Sequence, residues 1–309
     1  MKKALFILGI FTITLFSCSS DDDGTEPSQT LKLTKVNKGL DTSEISYLEN
    51  EKPQAIINPD NTIIPINYNS DSNVILFNED TYTYDASGRI ANITNARGES
   101  EFTYDSQGRI ITQEVLQYDN NNLTINMEDL RFIYNFTYNN ESQLTEVTSI
   151  DNIDPNIISV PDITKSKFTY NANGQLIKQD TETSFDNGAT FSPDLTIDII
   201  YDTSKNPLRL FYNSMGVTSN FTPFYSSNLD IQLTVGIGNG TGTLYYISKN
   251  SPLNVVRTNI SPTGNISRTT TFNYQLDGDY PVNGERTFIA NPQVFPPSTT
   301  QLSWEYTTD

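Results

Sequence analysis

Residues 102–110 read FTYDSQGRI, and residues 82–90 read YTYDASGRI. The two stretches stand twenty residues apart and agree at six of nine positions. In the first, Phe102-Thr103-Tyr104 alternates aromatic, polar, aromatic, as a strand with one buried face requires. Asp105 followed by Gly108 fits a hairpin built on a type I turn that closes through a left-handed residue. Asp105 can accept hydrogen bonds from turn amides, and Gly108 takes a positive φ without a side-chain clash. That geometry sets Tyr104 opposite Ile110 and Asp105 opposite Arg109. A Tyr–Ile cross-strand pair stabilises by about 0.2–1 kcal/mol beyond its burial. The Asp–Arg pair lies on the solvent face and contributes less. Tyr84, Asp85, Gly88, Arg89 and Ile90 repeat the arrangement.

Further copies follow. FTYNNESQL carries Tyr138, Asn139 and Leu144, and FTYNANGQL carries Tyr170, Asn171, Gly174 and Leu176. Ser142 replaces the turn glycine in the third copy, so that turn is expected to be strained or remodelled. Weaker echoes occur at Tyr47, Tyr68, Tyr201, Tyr246 and Tyr274, and a last strand-like run, LSWEY, ends at Tyr306. Repetition on this scale marks an array of supersecondary units. Tyr84, Tyr104, Tyr138 and Tyr170 each face an apolar residue and are read as core positions, not as an exposed stacking surface.

The pattern resembles the YD repeat of the Rhs-like family, and more closely the YD-repeat lipoproteins of Bacteroidetes. The resemblance covers about residues 31–309. It implies an all-β fold in which tandem antiparallel hairpins form one extended, curved meander sheet. Large members coil into a shell around a toxin, and too few units are counted here to expect a shell. The run from Pro207 to Leu244 breaks the rhythm and is expected to be an irregular insert folded over the sheet. Its GIGNGTG stretch has neither the glycine spacing nor the lysine of a phosphate loop.

The first residues are an address. MKKALFILGIFTITLFSC has Lys2 and Lys3, then an apolar stretch from Ala4 to Phe16, too short to span a bilayer comfortably. Leu15-Phe16-Ser17-Cys18 resembles the bacterial lipobox. Cys18 is the single cysteine, so it has no disulfide partner in the chain. On this reading residues 1–17 are a signal peptide, Cys18 carries the lipid, and residues 18–30 are an acidic tether. The run from Ser19 to Asp23 resembles the acidic export tag of Bacteroidetes surface lipoproteins, and a solvated linker explains it equally well. The residue order of a calcium loop is not present. The domain is then residues 31–309, held at the outer membrane and expected on the cell surface.

The net charge is −18. Such a surface repels nucleic acid phosphates and anionic lipid headgroups, which argues against both as partners. With no histidine, Ser-His-Asp and Cys-His catalysis are excluded, as is the commonest zinc and haem ligand. No cofactor or metal site is expected. The catalytic option left is a pair of carboxylates, as in glycosidases. Glu99 with Glu101, and Asp277 with Asp279 if extended, would share strand faces. Charged pairs beside turns are ordinarily solvated surface. The expectation is a non-catalytic binding or adhesion scaffold for a glycan or protein ligand. The alternatives are a carboxylate-dependent glycoside hydrolase or lyase, and a purely structural envelope component.

Overall fold

The computed structural model describes residues 31–118, 130–151, 161–224, 229, 235–237, 243–292 and 295–308. The chain begins with β1 (Lys32–Lys38), β2 (Asp41–Tyr47), β3 (Pro53–Ile57), β4 (Ile63–Tyr68), β5 (Val74–Phe77) and β6 (Asp80–Tyr84). It continues through β7 (Ile90–Asn95), β8 (Gly98–Tyr104), β9 (Ile110–Gln117), β10 (Leu130–Tyr138) and β11 (Leu144–Asp151). Next come β12 (Ile163–Tyr170), β13 (Leu176–Ser184) and β14 (Ser192–Lys205). An insert follows, with helix α1 (Pro207–Ser214) and the short strands β15 (Phe221–Thr222), β16 (Val235–Ile237) and β17 (Leu244–Tyr246). The chain ends with β18 (Asn250–Asn259), β19 (Ile266–Asp277), β20 (Tyr280–Asn291) and β21 (Ser298–Thr307).

Eighteen of these strands make one antiparallel sheet in which β14 passes directly to β18. β1 pairs with β2 on one side and with β21 on the other. The sheet therefore closes into a barrel, which corrects the open, extended meander. The cause is local. Immediately before Tyr47, Tyr68, Tyr84, Tyr104, Tyr138, Tyr170 and Tyr201 the register slips at a bulge. A bulge bends its strand and increases its twist. Bulges repeated along one rim curl the whole sheet. Closure removes both sheet edges, which would otherwise be open to pairing with other chains.

Alternation along each strand decides what faces inward. On β8, Ser100 and Phe102 are buried in the lumen while Glu101 is exposed; on β12, Ser166 and Phe168 point in and Lys167 points out. Outward positions carry ion pairs such as Lys167–Glu182, at 2.9 Å. Strands that cross a bilayer present alternate apolar side chains to lipid, and this wall has the reverse polarity. Among the described residues no helix is long and apolar enough to cross a membrane.

A ring of eighteen strands is too wide for its own side chains to fill. The insert fills it, rather than lying over the sheet as expected. Phe224 packs against Phe77 and Tyr82, with ring centroids 5.9 and 4.6 Å away, and Phe221 meets Phe168 at 6.0 Å. These contacts reach wall strands well separated around the barrel. Asn206 caps α1 by accepting from the Leu208 amide at 2.9 Å, and Pro207 opens the helix where no amide is needed. Leu208, Phe211 and Tyr212 bury the helix's apolar side. Tyr246 belongs to this insert and not to the repeat: its hydroxyl accepts from the Leu176 amide at 3.0 Å. Gly236 lies in β16, and the other glycines of GIGNGTG lie outside the described residues.

Candidate functional site

Tyrosines near the end of every second wall strand form a ring at one rim. Tyr104 donates its phenol hydrogen to the Ile90 carbonyl at 2.6 Å. Tyr84 does the same to Val74, Tyr138 to Ile110, Tyr170 to Leu144 and Tyr201 to Leu176. Tyr47 and Tyr68 reach Leu33 and Pro53, while Tyr274 and Tyr306 reach Pro252 and Pro281. Each hairpin is thus fastened to the one before it, and the ring runs through the seam between β21 and β1. Burial pushes the phenols of Tyr84, Tyr104 and Tyr138 up to about 12.

The turns repeat one geometry. The Asp85 carboxylate accepts from the amides of Ser87 and Arg89 at 2.8 and 3.0 Å, and Asp105 accepts from Gln107 and Arg109, both at 2.9 Å. Those bonds, with the arginine side chains, hold both carboxyls below the usual carboxylate range. Gly88, Gly108 and Gly174 have φ of 76°, 79° and 73°. Ser142 adopts φ 61° and donates its amide to Asn139, so the turn without glycine keeps its shape instead of being remodelled. Arg89 lies 4.5 Å from the centroid of the Tyr104 ring, and Arg109 lies 4.8 Å from that of Tyr138. Each arginine therefore binds its own aspartate and also covers the next unit's tyrosine. No fixed spacing marks this second contact in the sequence, since Arg89 precedes Tyr104 by 15 residues and Arg109 precedes Tyr138 by 29.

These residues build the barrel. Among the described residues one ligand-sized feature is a groove of about 410 Å³ on the outer wall, across the seam where β1 meets β21, and a larger space of about 720 Å³ lies beside Asn171, Gln175, Tyr201 and Asn250. One register row carries Asn273, Glu285 and Gln301. The next carries Gln275, Asn283, Ser303 and Asn37. Gln301 donates to Glu285 at 2.9 Å, and Asn37 donates to Ser303 at 2.7 Å. Gly284 faces the lumen beneath the groove. A Cβ there would stand 3.0 Å from the Asn273 carbonyl oxygen and 3.3 Å from the Trp304 ring. Trp304 is 3% exposed, so it is neither a cap on a sheet edge nor an external contact.

Glu99 and Glu101 do share an outward face, where they line a shallow depression with Glu114 and Arg131. Arg131 is ion-paired to Glu114. Asp277 and Asp279 do not share a face, because the chain turns between them at Gly278, φ 57°, and Asp279 pairs with Lys205 at 2.9 Å. Cys18 and the rest of the leader and tether lie outside the described residues.

The architecture defined by these features is a closed, internally plugged β-barrel made of tyrosine-clasped hairpins. The RHS Repeat family model matches residues 84–116, so the chain carries YD-type repeats there. No curated protein matches the chain. Among solved structures it is similar to a porin-like protein from Bacteroides vulgatus ATCC 8482, with 11% identity, a TM-score of 0.43, and coverage of 89% of this chain and 98% of that one. A porin-like protein from Bacteroides uniformis ATCC 8492 shows 10% identity, a TM-score of 0.39, and coverage of 89% and 96%. The TcdB2-TccC3-TEV structure shows 10% identity and a TM-score of 0.28, over 86% of this chain and 16% of that one.

Proposed function

We propose that the protein is a non-catalytic binding scaffold of the cell envelope, belonging with YD-repeat surface lipoproteins, whose ligand is a glycan held along the outer-wall groove. The observation that carries this reading is the pair of amide-rich rows across four adjacent strands. A carboxamide offers two donors and an acceptor, and a line of them matches the alternating donors and acceptors of sugar hydroxyls. Glu285 is the one carboxylate in the groove, whereas glycoside hydrolysis ordinarily uses two. The leader supports attachment through lipid on Cys18, with the polar wall standing free in water. Several acyl chains make a stable anchor where one would not.

The test is a panel of neutral and acidic oligosaccharides applied to purified protein. Binding without turnover is expected, weakened about tenfold in Asn283→Ala/Gln301→Ala. Product release that disappears in a Glu99→Gln or Glu101→Gln variant would replace this reading with the hydrolase. Capture of a protein ligand, with every glycan inert, would leave the scaffold but change its partner. For localisation, Cys18→Ala should abolish lipid labelling, and protease added to intact cells should remove the parent protein. Resistance on whole cells followed by cleavage after lysis would turn the anchor toward the periplasm.

A further inference from the structure

The chain has 19 lysines and arginines against 37 acids. On the outer wall several cations meet carboxylates: Lys35 stands 3.5 Å from both Glu44 and Glu305, and Arg97 stands 3.8 Å from Glu79. Four cations on the inner wall do not. In register, Arg257 lies opposite Ile197 and also opposite Arg268, while Arg286 lies opposite Phe272 and Lys38 opposite Leu302. Ile197, Phe272 and Leu302 are buried lumen residues. Directly opposed residues of an antiparallel pair share a face, so all four cations face the lumen.

They also share a height. Leu33, Pro252 and Pro281 receive tyrosine hydroxyls in the ring, and Lys38, Arg257 and Arg286 each stand five residues further along the same strands. Arg268 stands six residues before Tyr274. At about 3.3 Å per residue this level is roughly 17 Å below the ring. The equivalent positions in the other six units are Asn58, Glu79, Asn95, Val115, Ser149 and Thr181, none of them basic. The basic residues are therefore gathered on β18, β19, β20 and β1, an arc of about 19 Å at about 4.8 Å per strand. Arg257 and Arg268 are exposed to solvent, so the arc is accessible. None of the four side chains has a hydrogen bond or ion pair with another described residue. Asp41, in register with Lys38, forms no ion pair with it. Two like charges directly opposed across a ladder destabilise it, and the chain has acids to spare with which to neutralise them.

We propose that this arc binds an anion carrying two or more phosphate, sulfate or carboxylate groups in the barrel mouth opposite the tyrosine ring. Guanidinium forks match all three groups in bidentate geometry. The site is on the opposite face of the wall from the glycan groove and does not depend on it.

The test titrates the purified protein at low salt with pyrophosphate, sulfate and citrate, with chloride as control. Saturable binding of at least one of the three is expected, weakened at least tenfold in Arg257→Gln/Arg268→Gln and unchanged in the outer-wall variant Arg131→Gln. In anion-free buffer the double variant should melt at or above the parent's temperature, because a repulsive pair has been removed. Absence of saturation with all three anions would overturn the proposal. So would equal loss in Arg131→Gln, or full binding by the double variant. A lower melting temperature of the double variant in anion-free buffer would make the arginines structural and would also overturn it.

Discussion

Tyr104 makes three contacts of different kinds. Its ring stands opposite Ile110, its hydroxyl donates to Ile90, and its face lies against Arg89. Tyr104→Phe keeps the first and third and leaves the Ile90 carbonyl short of a donor. The expected cost is about 1 kcal/mol, read as a lower midpoint in denaturant with an unchanged slope. The ring of phenols also sets a pH limit. A phenol whose pKa in the folded chain exceeds its ordinary value of 10.0 favours the folded state while it stays protonated. Its contribution is complete below about pH 10 and is lost as the pH rises towards about 12. Alkaline unfolding should therefore fall in that window and coincide with the rise in phenolate absorbance. Unfolding complete well below pH 10 would show that the ring does not govern it. The clasp itself was not legible in the sequence. The half-burial of each tyrosine followed from its apolar partner, but its hydrogen-bond acceptor lies on a different hairpin.

At the scale of the element, the turn tolerates loss of glycine but not of its conformation. Ser142 sits at φ 61°, where a side chain costs about 1–2 kcal/mol. Glycine there would relieve that strain while adding about 0.5–1 kcal/mol of unfolded-chain entropy. Ser142→Gly should therefore stabilise by about 0.5 kcal/mol, and Gly108→Ala should destabilise by about 1 kcal/mol, both read from thermal midpoints. The turn chemistry was legible because it is local: an Asx residue, then a residue of positive φ three positions later. The bulge before each tyrosine was not. It skips one residue, Ile111 in the 102–110 unit, and no composition marks the skipped position.

For the whole molecule, the seam between β1 and β21 carries the closure. Trp304 packs there against Tyr274, with centroids 5.9 Å apart, over the space left by Gly284. Trp304→Ala should cost about 3–5 kcal/mol. Its particular mark is faster amide exchange in β1, β20 and β21 than in β8 and β9. Uniform acceleration would mean that the barrel opens as one unit and the seam is not its weak point. The amide groove straddles the same strands, so loosening the seam should also weaken any ligand held along it.

The repeated hairpin, its turn acceptors, its inward tyrosines and the change of rhythm after Pro207 were all present in the residue order. Each depends on interactions within a few positions of the chain, where side-chain type and spacing suffice. Whether the sheet stays open or closes depends on contacts such as that between Thr34 and Glu305, which are 271 residues apart. The same long-range geometry decided that the insert fills the lumen, that Trp304 is buried, and that Lys38 lies at the level of Arg257. Curvature summed over all the bulges brings these parts together, and no single stretch of sequence carries that sum.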